Sequence, residues 1–388
     1  MSRREFDIVV YGATGFTGRL VAEFLASRHP ELSFAMAGRS EDKLKAVRDE
    51  IGAPADTPLI VADSDDDQSL LSMSGRAEAV ITTVGPYQLY GEPLLRACAL
   101  NGTDYVDLCG EPAWMKDMIE KYDAQAKETG ARIVLSCGFD SVPFDLGVLF
   151  VQEEAIRRSG APMQRVKGRV RSMKGTFSGG TAASLGETMK RAHREPEIIE
   201  WLKDPFCLCP GFTGPKQPHG ARPLYEEDLQ SWSAPFIMAA INTKNVHRSN
   251  FLMKHRYGED FVYDEMILTG DGEKGEQIAS HVANDKSLSE NKLKPGEGPS
   301  REERESGYYE VMFTGETVDG ERVTGSVHGD KDPGYGSTSK MIAECAIALA
   351  KDIGREHTPG GVWTPAPALG KALIDRLSAH AGLTFKYE

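Results

Sequence analysis

No apolar run in the 388-residue sequence approaches the ~20 residues that a membrane-spanning helix requires. Concentrated positive charge is missing too: Asp and Glu outnumber Lys and Arg by 58 to 45, for a net charge of −13. Phosphate backbones are held by clustered Lys and Arg, so the sequence argues against a nucleic-acid partner. The acidity reads instead as a soluble, self-repelling surface. Cysteine is sparse and unpatterned. Cys98, Cys109, Cys137, Cys207, Cys209 and Cys345 form no C-x-x-C pair, and the Cys207-Leu-Cys209 spacing is not that of a zinc knuckle. The expectation is reduced thiols in a cytoplasmic protein. The opening MSRREFDIVVYG meets a glycine turn after a few apolar residues, too short a run for a signal peptide or an anchor.

Two catalytic signatures are also missing. No tyrosine is followed by a lysine four residues later (Tyr335 precedes Lys340 by five), so the Tyr-x-x-x-Lys proton relay is absent. No H-E-x-x-H or similar cluster occurs among the nine dispersed histidines, and no metal site is expected.

What is present begins with alternation. Apolar runs at Phe6–Tyr11, Ser33–Ala37, Leu59–Ala62, Ala79–Thr83, Tyr105–Leu108 and Arg132–Ser136 read as strands. Helical spacing at Phe16–Arg28, Glu41–Ile51, Pro93–Leu100 and Ala113–Lys127 separates several of them. Strands divided by such helices imply βαβ units and a doubly wound parallel sheet, with ligands at the carboxyl edge of the strands. After about Asp140 the texture changes. Val166–Met173 alternates like a half-wet strand, and Tyr308–Thr314 and Arg322–Val327 flank Val318-Asp-Gly320 as an antiparallel hairpin. Residues 271–306 form a polar stretch, and Ser339–Ile353 is amphipathic at helical spacing. The expected fold is therefore α/β: an N-terminal Rossmann sheet and a second α+β domain with an antiparallel sheet.

The chemistry starts at Val9-Val-Tyr-Gly-Ala-Thr-Gly-Phe-Thr-Gly18. Gly12 follows the first strand, where the chain turns sharply. Gly15 removes a Cβ from the path of a pyrophosphate, and Gly18 lets the helix pack close to the strand. Ala13, Thr14, Phe16 and Thr17 complete the loop and the helix N-terminus, whose free N–H groups suit phosphate. A fold selecting NAD carries Asp or Glu after the second strand. Here Ala37-Gly-Arg39-Ser40 stands there, with Lys43 one turn on. Arg39 suits a 2′-phosphate and Ser40 can donate to it, so NADP(H) is the cofactor expected. Asp63, ending the third strand, is placed near the adenine by position alone. The fourth strand runs into Val84-Gly85-Pro86-Tyr87, beneath the nicotinamide. Tyr87 is a packing residue or a proton donor, and His328 a surface residue or an acid–base group; these are the two catalytic candidates. Ser178-Gly-Gly-Thr-Ala-Ala-Ser184 is an anion site or a plain strand-to-helix connection.

Taken in order, Tyr11-Gly-Ala-Thr-Gly-Phe-Thr-Gly18, Ala37-Gly-Arg-Ser40, Val84-Gly-Pro-Tyr87, Tyr90-Gly-Glu92, Tyr105-Val-Asp-Leu-Cys-Gly-Glu-Pro112, Ser136-Cys-Gly-Phe-Asp-Ser-Val-Pro143 and Asp332-Pro-Gly-Tyr-Gly336 resemble the saccharopine dehydrogenase-like oxidoreductases, including the bacterial trans-acting enoyl reductases. The resemblance spans most of the chain and is weakest between about Lys203 and Ser306. It implies a Rossmann domain over 1–138 completed by 339–388, a substrate or dimerisation domain over 139–338, NADP(H), and a homodimer. It further implies reduction of an activated C=C bond on an acyl, polyketide or lipid precursor. Reduction of a C=N bond, as in saccharopine chemistry, and NADP(H) binding by a non-catalytic sensor are the alternatives.

Overall fold

Six consecutive buried residues, Phe6–Tyr11, make a strand covered on both faces, and the rest of the first sheet grows around it. The computed structural model describes residues 4–139, 141–175, 179–285 and 297–388. Asp140, Ser178 and residues 286–296 of the polar stretch lie outside the described residues.

The first unit runs β1 (Phe6–Tyr11), α1 (Phe16–Arg28), β2 (Phe34–Gly38), α2 (Glu41–Glu50), β3 (Leu59–Val61), α3 (Asp67–Ser74), β4 (Ala77–Thr82), α4 (Tyr87–Asn101), β5 (Asp104–Val106), α5 (Pro112–Thr129) and β6 (Arg132–Val134). The chain continues through α6 (Val142–Ser159), β7 (Arg165–Lys174), α7 (Gly179–Arg194), α8 (Glu197–Lys203), β8 (Leu224–Glu226), β9 (Ser231–Pro235), α9 (Ala239–Leu252), β10 (Val262–Gly270), α10 (Gly272–Ala283), α11 (Arg301–Ser306), β11 (Tyr308–Glu316) and β12 (Arg322–Gly329). It ends with α12 (Thr338–Ile347), β13 (Gly361–Trp363), α13 (Pro365–Arg376) and β14 (Leu383–Tyr387).

The first sheet is parallel throughout, in the order β13-β6-β5-β4-β1-β2-β3. The order reverses between β1 and β4, and a crevice for a ligand opens at such a switch point. The second sheet has the order β14-β12-β11-β7-β10-β9-β8. The hairpin expected at β11 and β12 is there, in register from Glu316↔Arg322 to Tyr309↔Gly329.

Three expectations are corrected. The second sheet is mixed rather than antiparallel, because β7 and β10 pair in parallel. The long connection between them, carrying α7 to α9, is what parallel pairing requires. The helix expected at Pro93–Leu100 begins earlier, at Tyr87, with Pro93 inside it. Its first amides are held by the carboxylate of Glu111, a partner 23 or 24 residues away that no local pattern announces. Finally, the C-terminal segment is shared: β13 joins the first sheet, but β14 pairs with β12 in the second.

The return of the chain to the first sheet is held by a buried ion pair. Arg132 is buried on β6, and its Nε donates to Asp104 Oδ1 at 3.1 Å. The same guanidinium donates to the carbonyls of Leu349 and Ile353 at 2.6 and 2.5 Å. Arg355 adds a contact to Asp104 at 3.2 Å. Removing one partner of such a pair leaves the other charge buried and uncompensated. Asp104→Ala is therefore expected to lower stability by about 3–5 kcal/mol, read from the midpoint of urea unfolding. An unchanged midpoint would show that the carbonyls alone satisfy Arg132.

Candidate active-site cleft

A cavity of about 850 Å³ opens at the carboxyl edge of the first sheet. Its size is that of a cofactor and substrate site. One wall comes from the first unit, the other from α7, α8 and the residues leading into α9.

The glycine turn forms the floor. Gly12 has φ +87°, and a Cβ there would lie 2.7 Å from Val84 Cγ2. Its N–H donates to the Ala37 carbonyl at 3.0 Å, which ties the turn to the end of β2. Gly18 is packed so closely that a Cβ would lie 2.2 Å from the Gly12 carbonyl oxygen. No side chain caps α1, and its first turn holds no acidic residue. Its N-terminal amides and positive dipole end therefore suit an anion. Thr14, Gly15, Phe16 and Thr17 line the cavity around this helix end. Ala13 is buried beneath it, and Gly18 sits behind the turn rather than on the lining.

At the end of β2, Arg39 and Lys43 line the cavity and are exposed. Among the described residues no carboxylate pairs with Arg39. Ser40 caps α2, its oxygen accepting from the Lys43 N–H at 3.4 Å. That leaves its own O–H free to donate. Asp63 does not line the cavity; its Oδ1 accepts from the Asp65 N–H at 3.1 Å within a turn, and Ser64 takes the lining position. These features fit a dinucleotide with a phosphate on its adenosine ribose.

At the β4 end, Val84, Gly85 and Tyr87 line the cavity, while Pro86, joined to Gly85 by a cis peptide, does not. Tyr87 is buried, and both hydrogen bonds of its hydroxyl go to backbone. It donates to the Thr82 carbonyl at 3.2 Å and accepts from the Leu108 N–H at 3.0 Å. Burial pushes its pKa well above that of an ordinary tyrosine. The geometry favours the packing role over proton donation. His328 is exposed on β12, opposite Glu310 and Thr384, and is not part of the lining. The structure does not bring it to the other site residues.

Sequence reasoning missed Glu111, Gln88 and Thr188, and reached Ser184 only as the last residue of a candidate anion site. Glu111 is buried between the two units, and its Oε1 accepts from the Tyr87 N–H at 2.8 Å and from Ser184 Oγ at 2.6 Å. Its Oε2 accepts from the Gln88 N–H at 2.9 Å, and Gln88 Nε2 donates to Thr188 Oγ1 at 2.7 Å. The only signal was the Gly-Glu-Pro run, with Pro112 starting α5. Of the Ser178–Ser184 run, the described residues 179–184 are the first turns of α7, and Gly180, Thr181 and Ser184 line the cavity. The rest of that side is mostly apolar, with Met173, Leu185, Met189, Leu202, Ile237, Met238 and Ile241, though Thr188, Glu297, Tyr335 and Thr338 line the cavity too.

Comparisons with known proteins agree with this geometry. Residues 8–134 match the family described as saccharopine dehydrogenase NADP binding domain. A relative from Mycobacterium tuberculosis is 42% identical, covering 99% of this chain and 97% of its own length. The trans-acting enoyl reductase of Mycobacterium ulcerans is 37% identical over 97% of this chain and 96% of its own. That of Mycobacterium bovis is 38% identical over 97% and 96%. The apo saccharopine dehydrogenase (L-Glu forming) of Saccharomyces cerevisiae shares the fold, with a TM-score of 0.58 at 13% identity, covering 99% of this chain and 100% of that one. NADP(H) is therefore the cofactor of the first unit.

Two outcomes follow from the side chains described. Arg39→Ala removes a charge-assisted contact of about 1.5–3 kcal/mol, so NADPH affinity should fall by roughly 10-fold or more. NADH affinity should stay unchanged, and titration by nicotinamide fluorescence reads both. Tyr87→Phe removes the two backbone contacts and should cost about 1–3 kcal/mol of stability. Its turnover well below the unfolding temperature should match wild type; a selective loss of kcat would return Tyr87 to the chemistry.

Proposed function

Because the chain belongs to the family of the trans-acting enoyl reductases, we propose that this NADP(H)-dependent oxidoreductase reduces an activated C=C bond of an acyl, polyketide or lipid precursor. The observation that carries this reading is the apolar wall of the cleft. Aliphatic and methionine side chains of α7, α8 and the entry to α9 line the same cavity as Gly85 and Tyr87. An acyl chain is bound by such a surface. A dicarboxylic amino acid, the substrate class of the C=N alternative, needs basic side chains there. The cavity's lysine and arginine side chains, Lys43 and Arg39, lie instead at the end of β2.

In this reading the turn at Gly12, Gly15 and Gly18 holds the pyrophosphate, with the amides of Thr14 to Thr17 around it. Arg39, Ser40 and Lys43 hold the 2′-phosphate. NADPH, when bound, supplies a hydride to one alkene carbon, and the other takes a proton that originates in solvent. Val84 to Tyr87 form the shelf for the nicotinamide, and Tyr87 is packed at its end with its hydroxyl spent on the backbone of Thr82 and Leu108. The apolar wall excludes water and aligns the chain along the shelf. Residues 1–138 with much of 339–388 serve as the cofactor unit and 139–338 as the substrate unit. Among the described residues no helix is long and apolar enough to cross a membrane. A cytoplasmic homodimer, expected from the sequence, belongs to the same proposal.

Met189 is 59% exposed at the cleft rim and Leu185 38%, so a long chain would cover both. Burying a side chain of this size contributes about 1.5–3 kcal/mol. The experiment offers NADPH with α,β-unsaturated acyl thioesters of increasing length. Consumption of NADPH and a product heavier by two hydrogens in mass spectrometry are expected, with kcat/KM rising with length. Met189→Asp should cut kcat/KM for the long thioester about 10-fold and leave NADPH affinity intact. Turnover of cyclic imines but of no thioester would overturn the reading.

A further inference from the structure

The interaction across the cleft that the fold alone does not require is the one at Glu111. Its carboxylate sits at the N-terminal end of the 15-residue α4, where the helix dipole favours negative charge. Two of its contacts, the N–H groups of Tyr87 and Gln88, come from groups that only donate. The third comes from Ser184 on the opposite wall, and it ends on the same Oε1 that Tyr87 occupies. A carboxylate accepts only, so Ser184 must spend its single proton on Glu111. What the Ser184 hydroxyl offers to the cleft is then an acceptor with no proton left to give. A free serine has no such fixed polarity.

This acceptor lies beside Tyr87, at the β4 end of the switch point, the side that takes the nicotinamide half of a dinucleotide. Near the ring, the obligatory N–H donor of that half is the carboxamide, because ribose hydroxyls donate or accept. We propose that Ser184, polarised by Glu111, accepts a hydrogen bond from the nicotinamide carboxamide N–H₂ and thereby fixes which face of the ring meets the apolar wall. Ser184 touches the cofactor; Glu111 is a positioning residue that acts through it. The proposal rests on the NADP(H) reading given above and adds a residue pair to it. It also accounts for the second tether. The Gln88 to Thr188 contact runs between the same two helices, α4 and α7, and keeps Ser184 within reach of the shelf.

The test is a binding cycle on the full chain, using NADPH and the reduced 3-acetylpyridine analogue, which has a methyl in place of the carboxamide nitrogen. Wild type should bind NADPH about three- to tenfold more tightly than the analogue, the discrimination of one hydrogen bond. Ser184→Ala should bring that ratio to about one, and Ser184→Thr should restore it. Glu111→Ala should also lower it towards one, because a Ser184 hydroxyl freed to donate can serve the acetyl oxygen of the analogue as well as the carboxamide. Should Glu111→Ala not fold, the two Ser184 variants still decide. A ratio unchanged in Ser184→Ala overturns the proposal, as does an equal weakening of both ligands, which would place Ser184 on the ribose. Wild type that binds neither ligand would bring down the cofactor reading, and this proposal with it.

Discussion

The carbonyl of Gly12 stands where any side chain on residue 18 would have to be. A Cβ there would come within 2.2 Å of that oxygen and 2.7 Å of its carbon, both backbone atoms that cannot step aside. This contact sets how closely α1 lies on the β1 turn. It therefore sets where the uncapped N-terminus of α1 points. The Thr83 hydroxyl reaches the same Gly12 carbonyl at 3.5 Å, so the end of β4 is drawn to the turn as well. The cavity floor, the helix dipole and the end of β4 all meet at one backbone oxygen. The rest of the first unit packs around that arrangement, with α12 lying across α1 and β4.

A cleft needs a second wall held at a fixed distance, and that wall is not simply hung from the second sheet. The helices α7 and α8 dock on the first unit through a small apolar cluster of Ala113, Ala192 and Ile198, with Trp201 and Leu202 against it. Polar contacts flank the cluster. Arg191 pairs with Asp117 at 2.8 Å, and Lys116 sits 5.0 Å from the centre of the Trp201 ring. Pairs of this kind, still partly open to solvent, contribute little singly. Glu111 differs because it is buried and its carboxylate oxygens are matched by donors from both walls. The spacing of the cleft is thus set by packing and by one satisfied buried carboxylate together.

The parts legible in the sequence are those that local physics determines. Strands buried on both faces need continuous apolar runs, so β1, β2 and β4 are visible as such. The glycines of the turn and the basic residue after β2 answer short-range steric and electrostatic demands, and they fall at the cleft. The misreadings share one cause. The start of α4 depends on Glu111, the parallel β7 and β10 pair on a crossover of nearly ninety residues, and the place of β14 on which hairpin edge is open. Each is decided by a tertiary partner that no window of ten residues contains. Tyr87 and His328 illustrate the same limit. Residue type makes both candidates, but only burial and partners separate a packed hydroxyl from a reactive one.

The far wall also shows why its rigidity was invisible beforehand. The helix α9 reads AAINTKNVHRSNFL, too polar for a core helix, yet nine of its residues are buried. Its cations are tied to carbonyls rather than to carboxylates. Lys244 Nζ donates to Leu202 and Asp204 at 3.0 and 2.8 Å. Arg248 donates to Leu208 at 2.5 Å and to Val362 at 2.6 Å. Desolvation draws the Arg248 pKa down to about 10, which still leaves it charged at neutral pH. A guanidinium has its donors in a fixed fork, so one side chain fastens α9 to the loop after α8 and to β13 of the first sheet at once. Met238 and Ile241, beside those anchors, are therefore presented to the cleft on a helix that is cross-linked to the cofactor unit. An apolar wall assembled from mobile side chains would lose much of its alignment of a flexible acyl chain to conformational entropy. A wall pinned by buried cations keeps it.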